Sequence, residues 1–586
     1  MTRPTKPCFS LVALLLLPTS WARAAEEEAA SIFIDRVDVN IVNIEVIVTD
    51  REGNRVTGLG RDDFEVYEDG RQVEISNFYA STREDRVSRD LEEDRALIAG
   101  EPLGPAKMRE LPEQQQLNLL VYVDHFNLRK ANRQRVLREL EGFLEDRIIQ
   151  GDRIMLVGYD RTLDVVQPFT RDHRLVAEGL LAMKQVATYR QMDDAQRRRT
   201  MLMMRLAARD KNMSASFHLL RSYVQSARAD LHRSALALRD VVRALAGLPG
   251  RKAILYVSDG LPQRPGETLF QLMLDLYGMQ ELRKGGGLSQ QGHEIEMLRE
   301  KFVDPFIEAF RENEAHLFYT ITREANAHQV TFYTLDARGA HQGALLSADT
   351  LELTTGSGGH TTLDALRNQN LQEPLVTMAH ATGGTAVLNA LSYGAALAQM
   401  ADDFDSFYSL GYPTPGGGDG KFHRLDVRVK RPGLKVRHRG GFVDKPQVER
   451  VADRTLSSLL LDMDKNPLRI RLDFGQPAKR KKGAYDLPVL VRIPLREVTL
   501  LSNGEVEEGR LRIFLLVKDE DGISDLYDVP YPLSIPRAQL AQARDRDIGY
   551  TATLKLRKGR PKVAVGIWDE LSGTESYVHK KVLVGE

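Results

Sequence analysis

Cysteine is almost missing from this chain. Its 586 residues include one, Cys8, which lies ahead of an apolar run instead of at its end. Lipid attachment there is poorly placed, and disulfides are excluded from the rest of the chain, so stability must rest on hydrophobic cores that this length permits. Long apolar runs are also absent: no stretch approaches the roughly 18 consecutive apolar residues of a membrane-spanning helix, so no transmembrane segment is expected. Charge of one sign is not in surplus either, with 81 Lys and Arg against 82 Asp and Glu. That balance gives no reason to expect nucleic acid as a partner.

What is present begins with residues 1–24, which have the physical form of a secretory leader. Arg3 and Lys6 precede the apolar run 9–17, and Ala22-Arg23-Ala24 is a small-x-small cleavage site. The expectation is a secreted or periplasmic protein cleaved near Ala24. At 42% apolar and 28% charged residues the composition is globular, and the length calls for several domains.

Three apolar runs each end on an aspartate: LNLLVYVD to Asp124, AILYVSD to Asp259 and VTFYTLD to Asp336. Continuous apolar runs separated by helical stretches read as parallel strands buried on both faces. In open α/β sheets ligands bind beyond the carboxyl ends of such strands, so the aspartates are candidates for one shared rim. Between them Val136, Leu140, Phe143, Leu144 and Ile148 recur at helical spacing. The run 162–169 follows the strand 152–159 too closely for a crossover helix, which predicts one antiparallel edge strand.

The expected architecture is multidomain α/β plus β. Residues 30–82 read as a β segment with a hairpin turn at Asp69-Gly70, pairing with a second β segment at 405–445. Residues 83–114 are a charged linker. The α/β domain covers 115–404, with helical insertions near 190–235 and 265–325. Short strands separated by turns over 452–586 fit an Ig-like β-sandwich.

The motifs VIVTDREGNRVTGLGRDDFEVYEDGRQVEISNFY (46–79), LLVYVDHFNL (119–128), GRKAILYVSDGL (250–261), VTFYTLDARG (330–339), ATGGTAVLN and SFYSLGY occur in this order. Together they span about residues 33–444, and the chain resembles the bacterial, acidobacterial-type VWFA-related proteins of the von Willebrand factor type A superfamily. The resemblance implies a Rossmann-like von Willebrand A domain. In many relatives its rim carries a metal-ion-dependent adhesion site, where an Asp-x-Ser-x-Ser loop, a threonine and a further aspartate hold a divalent ion that captures a partner carboxylate. Here Phe126 and Leu128 stand where the serines would be, Asp259 matches the later aspartate, and the threonine has no clear match in the expanded tract 188–200.

The site is therefore expected to be degenerate. Asp124 and Asp259 are its remaining metal ligands for Mg²⁺ or Ca²⁺, no cofactor is expected, and Asp124, Asn127 and Asp259 form the partner-binding rim. The function implied is a non-catalytic protein-protein interaction or adhesion module, engaging a protein partner through an acidic residue. The alternatives are a cell-envelope hydrolase using the rim carboxylates and a structural assembly subunit.

Other motifs read as structure. The glycine-rich loop 356–358 lacks the context of a nucleophile elbow, and His293-Glu294 lacks a second histidine four residues on. Asp462-x-Asp464-x-Asn466 has Pro467 where a calcium loop needs glycine. The loop 519–522 reads as a solvated turn and the basic run 479–482 as a solvated loop. Asp336 and Arg338 read as a structural pair, and the methionine-rich stretch 201–204 as helical core.

Overall fold

The computed structural model describes residues 41–81, 116–149, 151–187, 189–277, 314–340, 360–414, 418–480, 483–519 and 522–585. The leader, the linker 83–114, the core of the second insertion, His293-Glu294 and the loop 356–358 lie outside the described residues, as do parts of the loops 479–482 and 519–522.

The chain opens with strands β1 (Ile41–Thr49), β2 (Phe64–Glu68), β3 (Arg71–Val73) and β4 (Asn77–Ser81). Asp69 and Gly70 both take positive φ, 49° and 82°, as the tight turn between β2 and β3 requires. An α/β unit follows, built on β5 (Leu117–Asp124), β6 (Arg153–Tyr159), β7 (Leu163–Thr170), β8 (Arg251–Ser258), β9 (Val330–Asp336) and β10 (Ala386–Val387). The chain then returns through β11 (Phe407–Pro413), β12 (Phe422–Val429), β13 (Lys435–Arg437) and β14 (Gly441–Val443).

These returning strands complete the opening ones. The sheets run β13-β1-β11-β4 and β14-β12-β2-β3, so the α/β unit is inserted into a β-sandwich. Alternating residues of both sheets, among them Ile44, Val46, Val66, Leu410 and Val427, share one core. The buried carboxylate of Asp403 ties unit to sandwich, accepting from Arg437 at 2.8 and 2.9 Å.

The central sheet has the order β10-β9-β8-β5-β6-β7. All its pairs are parallel except β6 with β7, the antiparallel edge expected from the short connection. Strand order reverses between β5 and β8, the place where an open α/β sheet forms its ligand crevice. β5 is buried along its whole length, and its side chains alternate between two cores. Leu119, Val121 and Val123 meet helices α1 (Lys130–Ile149) and α2 (His173–Gln185) on one face. Leu120 and Tyr122 face the opposite core.

The first helical insertion is α3 (Arg190–Arg209), which packs on the start of α4 (Met213–Leu245). Met201 and Met204 join Leu220, Tyr223 and Met273 in a small core, while Leu202 and Met203 are exposed. After α5 (Glu267–Leu276), α6 (Ala315–Ala327) and α7 (His360–Ala381) cover the second face through Phe318, Ile321, Leu375 and Met378. Helix α8 (Tyr393–Asp405) closes the first face through Leu397, Met400 and Phe404.

One element was not expected. The boundary placed between 445 and 452 falls within a helix, α9 (Gln447–Leu461). Its Leu461 enters the α/β core, whereas Val451 packs with Phe514 and Tyr577. The Ser457 hydroxyl donates to the Ala244 carbonyl at 2.7 Å. α9 is thus a joint between domains, and its apolar residues are spread over three different clusters. Beyond it, two antiparallel sheets, built around Ala484–Pro494 and Val506–Asp519, share a core of residues such as Val489, Val491, Ile513 and Val565.

A buried ion triad fixes the base of the central sheet. Arg147 of α1 is 1% exposed and donates to Asp152 at 2.6 and 2.8 Å and to Asp405 at 2.8 Å. Arg147→Met removes the guanidinium between two buried carboxylates and should destabilise the protein by about 3–5 kcal/mol. A urea titration checks this, and an unchanged midpoint would show that the triad is not needed.

Candidate functional site

Asp124 ends β5 and Asp259 follows β8, on the two strands that flank the reversal of strand order. Asn127 joins them: its backbone N–H and side-chain amide donate to the Asp124 carboxylate at 3.1 and 2.9 Å, and its carbonyl accepts from Asp259 N at 3.3 Å. The three residues expected at the rim therefore come together.

They lie beneath the surface. Asp124 and Asp259 are each 1% exposed, and Asn127 is also buried. Asp124 accepts further bonds from Tyr256 Oη at 2.5 Å and Ser258 Oγ at 3.4 Å, so four donors surround one carboxylate. Burial raises its pKa, and the bonds from Tyr256, Asn127 and Ser258 oppose that rise. Asp259 accepts from Arg129 N at 3.1 Å and from the Asn132 amide at 2.9 Å. Burial raises its pKa too, against the lowering effect of the Asn132 bond and of Arg190 and Arg129.

The loop between these aspartates is shaped by apolar and cationic contacts. Leu128 is sealed in the core. Phe126 packs beside Tyr159 and Tyr189, with the Arg161 guanidinium over its ring. Neither position offers an oxygen ligand. Gly260 has φ +99°, and a Cβ there would stand 2.5 Å from the Leu371 carbonyl oxygen, so the turn after Asp259 admits only glycine.

The expanded tract brings a cation to this place. Arg190, the first residue of α3, is 7% exposed and lies 3.5 Å from Asp193. Burial opposes its charge, but Asp193, Asp194 and Asp259 together raise its pKa. Asp194 accepts from Arg129 at 2.7 and 3.0 Å and from Arg367 of α7 at 3.0 Å. Burial alone would raise the Asp194 pKa; Arg190, Arg367 and Arg129 outweigh it and hold it at about 2. Around Arg367 cations predominate: burial, then Arg197 and Arg190, push its pKa down. Thr200 donates within its own helix, to Gln196 O at 3.0 Å, and residue 188 lies outside the described residues.

A second contact sets where the tract starts. Arg133 of α1 donates to His125 Nδ1 at 3.1 Å and to the carbonyls of Lys184 and Val186 at 3.1 and 2.6 Å. It clamps the aspartate loop to the end of α2, just ahead of Arg190. A guanidinium has no acceptor, so His125 must present a lone pair and stay neutral.

Sequence reasoning missed Arg129, Asn132, Arg133, Arg190, Asp194, Tyr256 and Arg367. Charged residues on amphipathic helices read as solvent-facing, and no spacing marks those that turn inward. Elsewhere Asp336 holds Arg338 in the structural pair expected, at 2.7 and 2.9 Å. Asp464 accepts from His579 at 2.7 Å, and Asp462 lies 2.9 Å from the same ring. Scanned against protein-family models the chain matches none, and a search of curated proteins likewise finds no match.

Burial and then Arg133 lower the His125 pKa from 6.5 to about 4. Because the folded value lies below the unfolded one, the neutral ring contributes stability that is complete above pH 6.5 and lost as pH falls toward 4. Thermal unfolding from pH 7.5 to 4 should show Tm declining in that window, and His125→Asn, which keeps an acceptor for Arg133, should flatten the decline. Parallel profiles would mean that His125 is not held neutral.

Proposed function

We propose that the chain is an exported, non-catalytic interaction protein of von Willebrand A-like type whose rim receives an acidic group of a protein partner on arginine instead of on a metal ion. The observation that carries this reading is Arg190, a buried guanidinium beside Asp193, Asp194 and Asp259. A divalent ion needs several oxygen ligands with free lone pairs. The Asp124 carboxylate has donors on both oxygens, Phe126 and Leu128 offer none, and a fixed positive charge already lies close to Asp259.

Among the described residues, four guanidiniums at this rim, Arg129, Arg190, Arg197 and Arg367, meet three carboxylates, Asp193, Asp194 and Asp259. Arg129 and Arg367 keep 34% and 22% of their side chains exposed, and Nε of the part-buried Arg197 has no hydrogen-bond partner. Arginine pairs with carboxylates in a two-pronged geometry that a metal ion does not impose. The strand order, with its antiparallel edge and its two aspartates at the reversal, supports the von Willebrand A-like reading. Acid-base turnover would need two carboxyls with separated pKa values, whereas Asp124 and Asp259 are shifted in the same direction by the same burial.

Two measurements test the proposal. Calorimetric titration with Mg²⁺ and with Ca²⁺ should show no saturable uptake that depends on Asp259. A photo-crosslinker at Met192, which is 68% exposed two residues beyond Arg190, should capture a discrete envelope protein, and Arg367→Glu should cut that capture at least tenfold. Saturable Mg²⁺ heat lost in Asp259→Ala, or capture indifferent to Arg367→Glu, would overturn the arginine reading.

A further inference from the structure

A second cluster lies on the inserted sandwich, away from the rim. The turn of the β2–β3 hairpin is pinned to β12: Asp69 N donates to Arg424 O at 3.0 Å, and Arg424 N donates to Asp69 Oδ1 at 2.8 Å. β12 runs antiparallel to β2 with Leu425 opposite Glu68, which sets His423 beside the turn. Its ring stacks on the buried Phe442, centroids 5.3 Å apart. His423 Nδ1 lies 2.9 Å from Glu68 Oε1 and 2.9 Å from Asp69 Oδ2, and Nε2 lies 3.2 Å from Asp419 Oδ1. The ligand-capable atoms of Glu68, Asp69 and His423 all fall within 4.8 Å of one another.

A charged ring would donate from both nitrogens; in a neutral ring with the Nε2 proton directed to Asp419, the Nδ1 lone pair faces two carboxylate oxygens and three acceptors converge on one point. A ring nitrogen bound to a metal commonly has its other N–H directed to a carboxylate in this way. Ligands bonded at about 2.1 Å are about 3.4 Å apart around a tetrahedral ion and about 3.0 Å apart at right angles, so an ion needs the two 2.9 Å nitrogen-oxygen separations to open by about half an ångström at most.

Glu68 is held from behind: burial first, and then a side-chain hydrogen bond with Glu68, raise the pKa of the buried Tyr412 hydroxyl. Of the cations, Lys421 is 3.8 Å from Asp419, and Arg424 reaches Asp69 through its backbone N–H.

We propose that Glu68, Asp69 and His423 form a site for a divalent transition-metal ion, with Asp419 orienting the imidazole. One nitrogen and carboxylate oxygens suit Zn²⁺ better than Mg²⁺ or Ca²⁺, and the exposed side of Asp69 leaves room for water to complete the coordination. The ion would clasp the first hairpin to a strand some 350 residues later in the chain, closing the sandwich around the inserted α/β unit.

The test is calorimetric titration of the full mature chain with ZnCl₂, and separately with CaCl₂, at pH 7.5. One Zn²⁺ should bind saturably, with Ca²⁺ giving no comparable heat. His423→Ala and Asp69→Asn should abolish uptake, and Asp419→Asn should weaken it 10- to 100-fold. Asparagine tolerates the positive φ of position 69, so that variant keeps the turn if His423→Ala fails to fold. Absence of saturable Zn²⁺ uptake, or uptake retained in Asp69→Asn, overturns the proposal. So does a His423 NMR titration left unchanged by Zn²⁺, which would make the ring a simple imidazolium among carboxylates. Asp259→Ala should leave this uptake intact, so failure at the rim and failure here are separable.

Discussion

A carboxylate taken out of water must meet a donor at each of its oxygens, or a counter-charge, or both. Two such groups stand at the ends of neighbouring parallel strands here, and the surrounding loops are arranged by that requirement. Asn127 turns its amide and its N–H to Asp124 while its carbonyl accepts from Asp259 N. Tyr256 reaches across from the adjacent strand. The first turn of α1 supplies Arg129 N and Asn132 to Asp259. The result is a rim whose acids hold the loops and whose outer face is set by what covers them.

That covering comes from an insertion. Arg133 grips the end of α2 through two carbonyls and the aspartate loop through His125, so α3 begins at a fixed point. Arg190 and Asp194 then enter the rim one helical turn apart, and Arg367 arrives from α7. The rim thereby acquires fixed, directional positive charge.

The chain's modular order serves the same end. Inserting the α/β unit between β4 and β11 anchors both of its ends in one sandwich, since these strands pair directly with each other. α9 fixes the C-terminal sheets by burying Leu461 in one domain and Val451 in another. The proposed metal clasp would act on the opening hairpin, where the first described strands meet the last strands of the sandwich.

Much of the scaffold was legible in the residues themselves. Apolar runs closed by aspartates marked the parallel strands, the short 152–169 spacing marked the antiparallel edge, and Asp69-Gly70 marked a hairpin. Those signals are local, because strand alternation, helical spacing and turn chemistry act over a few residues. Asp124 and Asp259 could be named for the same reason, each lying where a readable strand ends, whereas Asn127 was named only from the resemblance of the loop that follows Asp124. Their burial, the inward turn of Arg129, Arg133 and Arg190, the approach of Arg367, and the meeting of Glu68 and Asp69 with His423 were decided only by tertiary structure. Each depends on segments far apart in the chain arriving side by side, and whether a charged side chain is buried depends on what packs over it, which no neighbouring residue specifies.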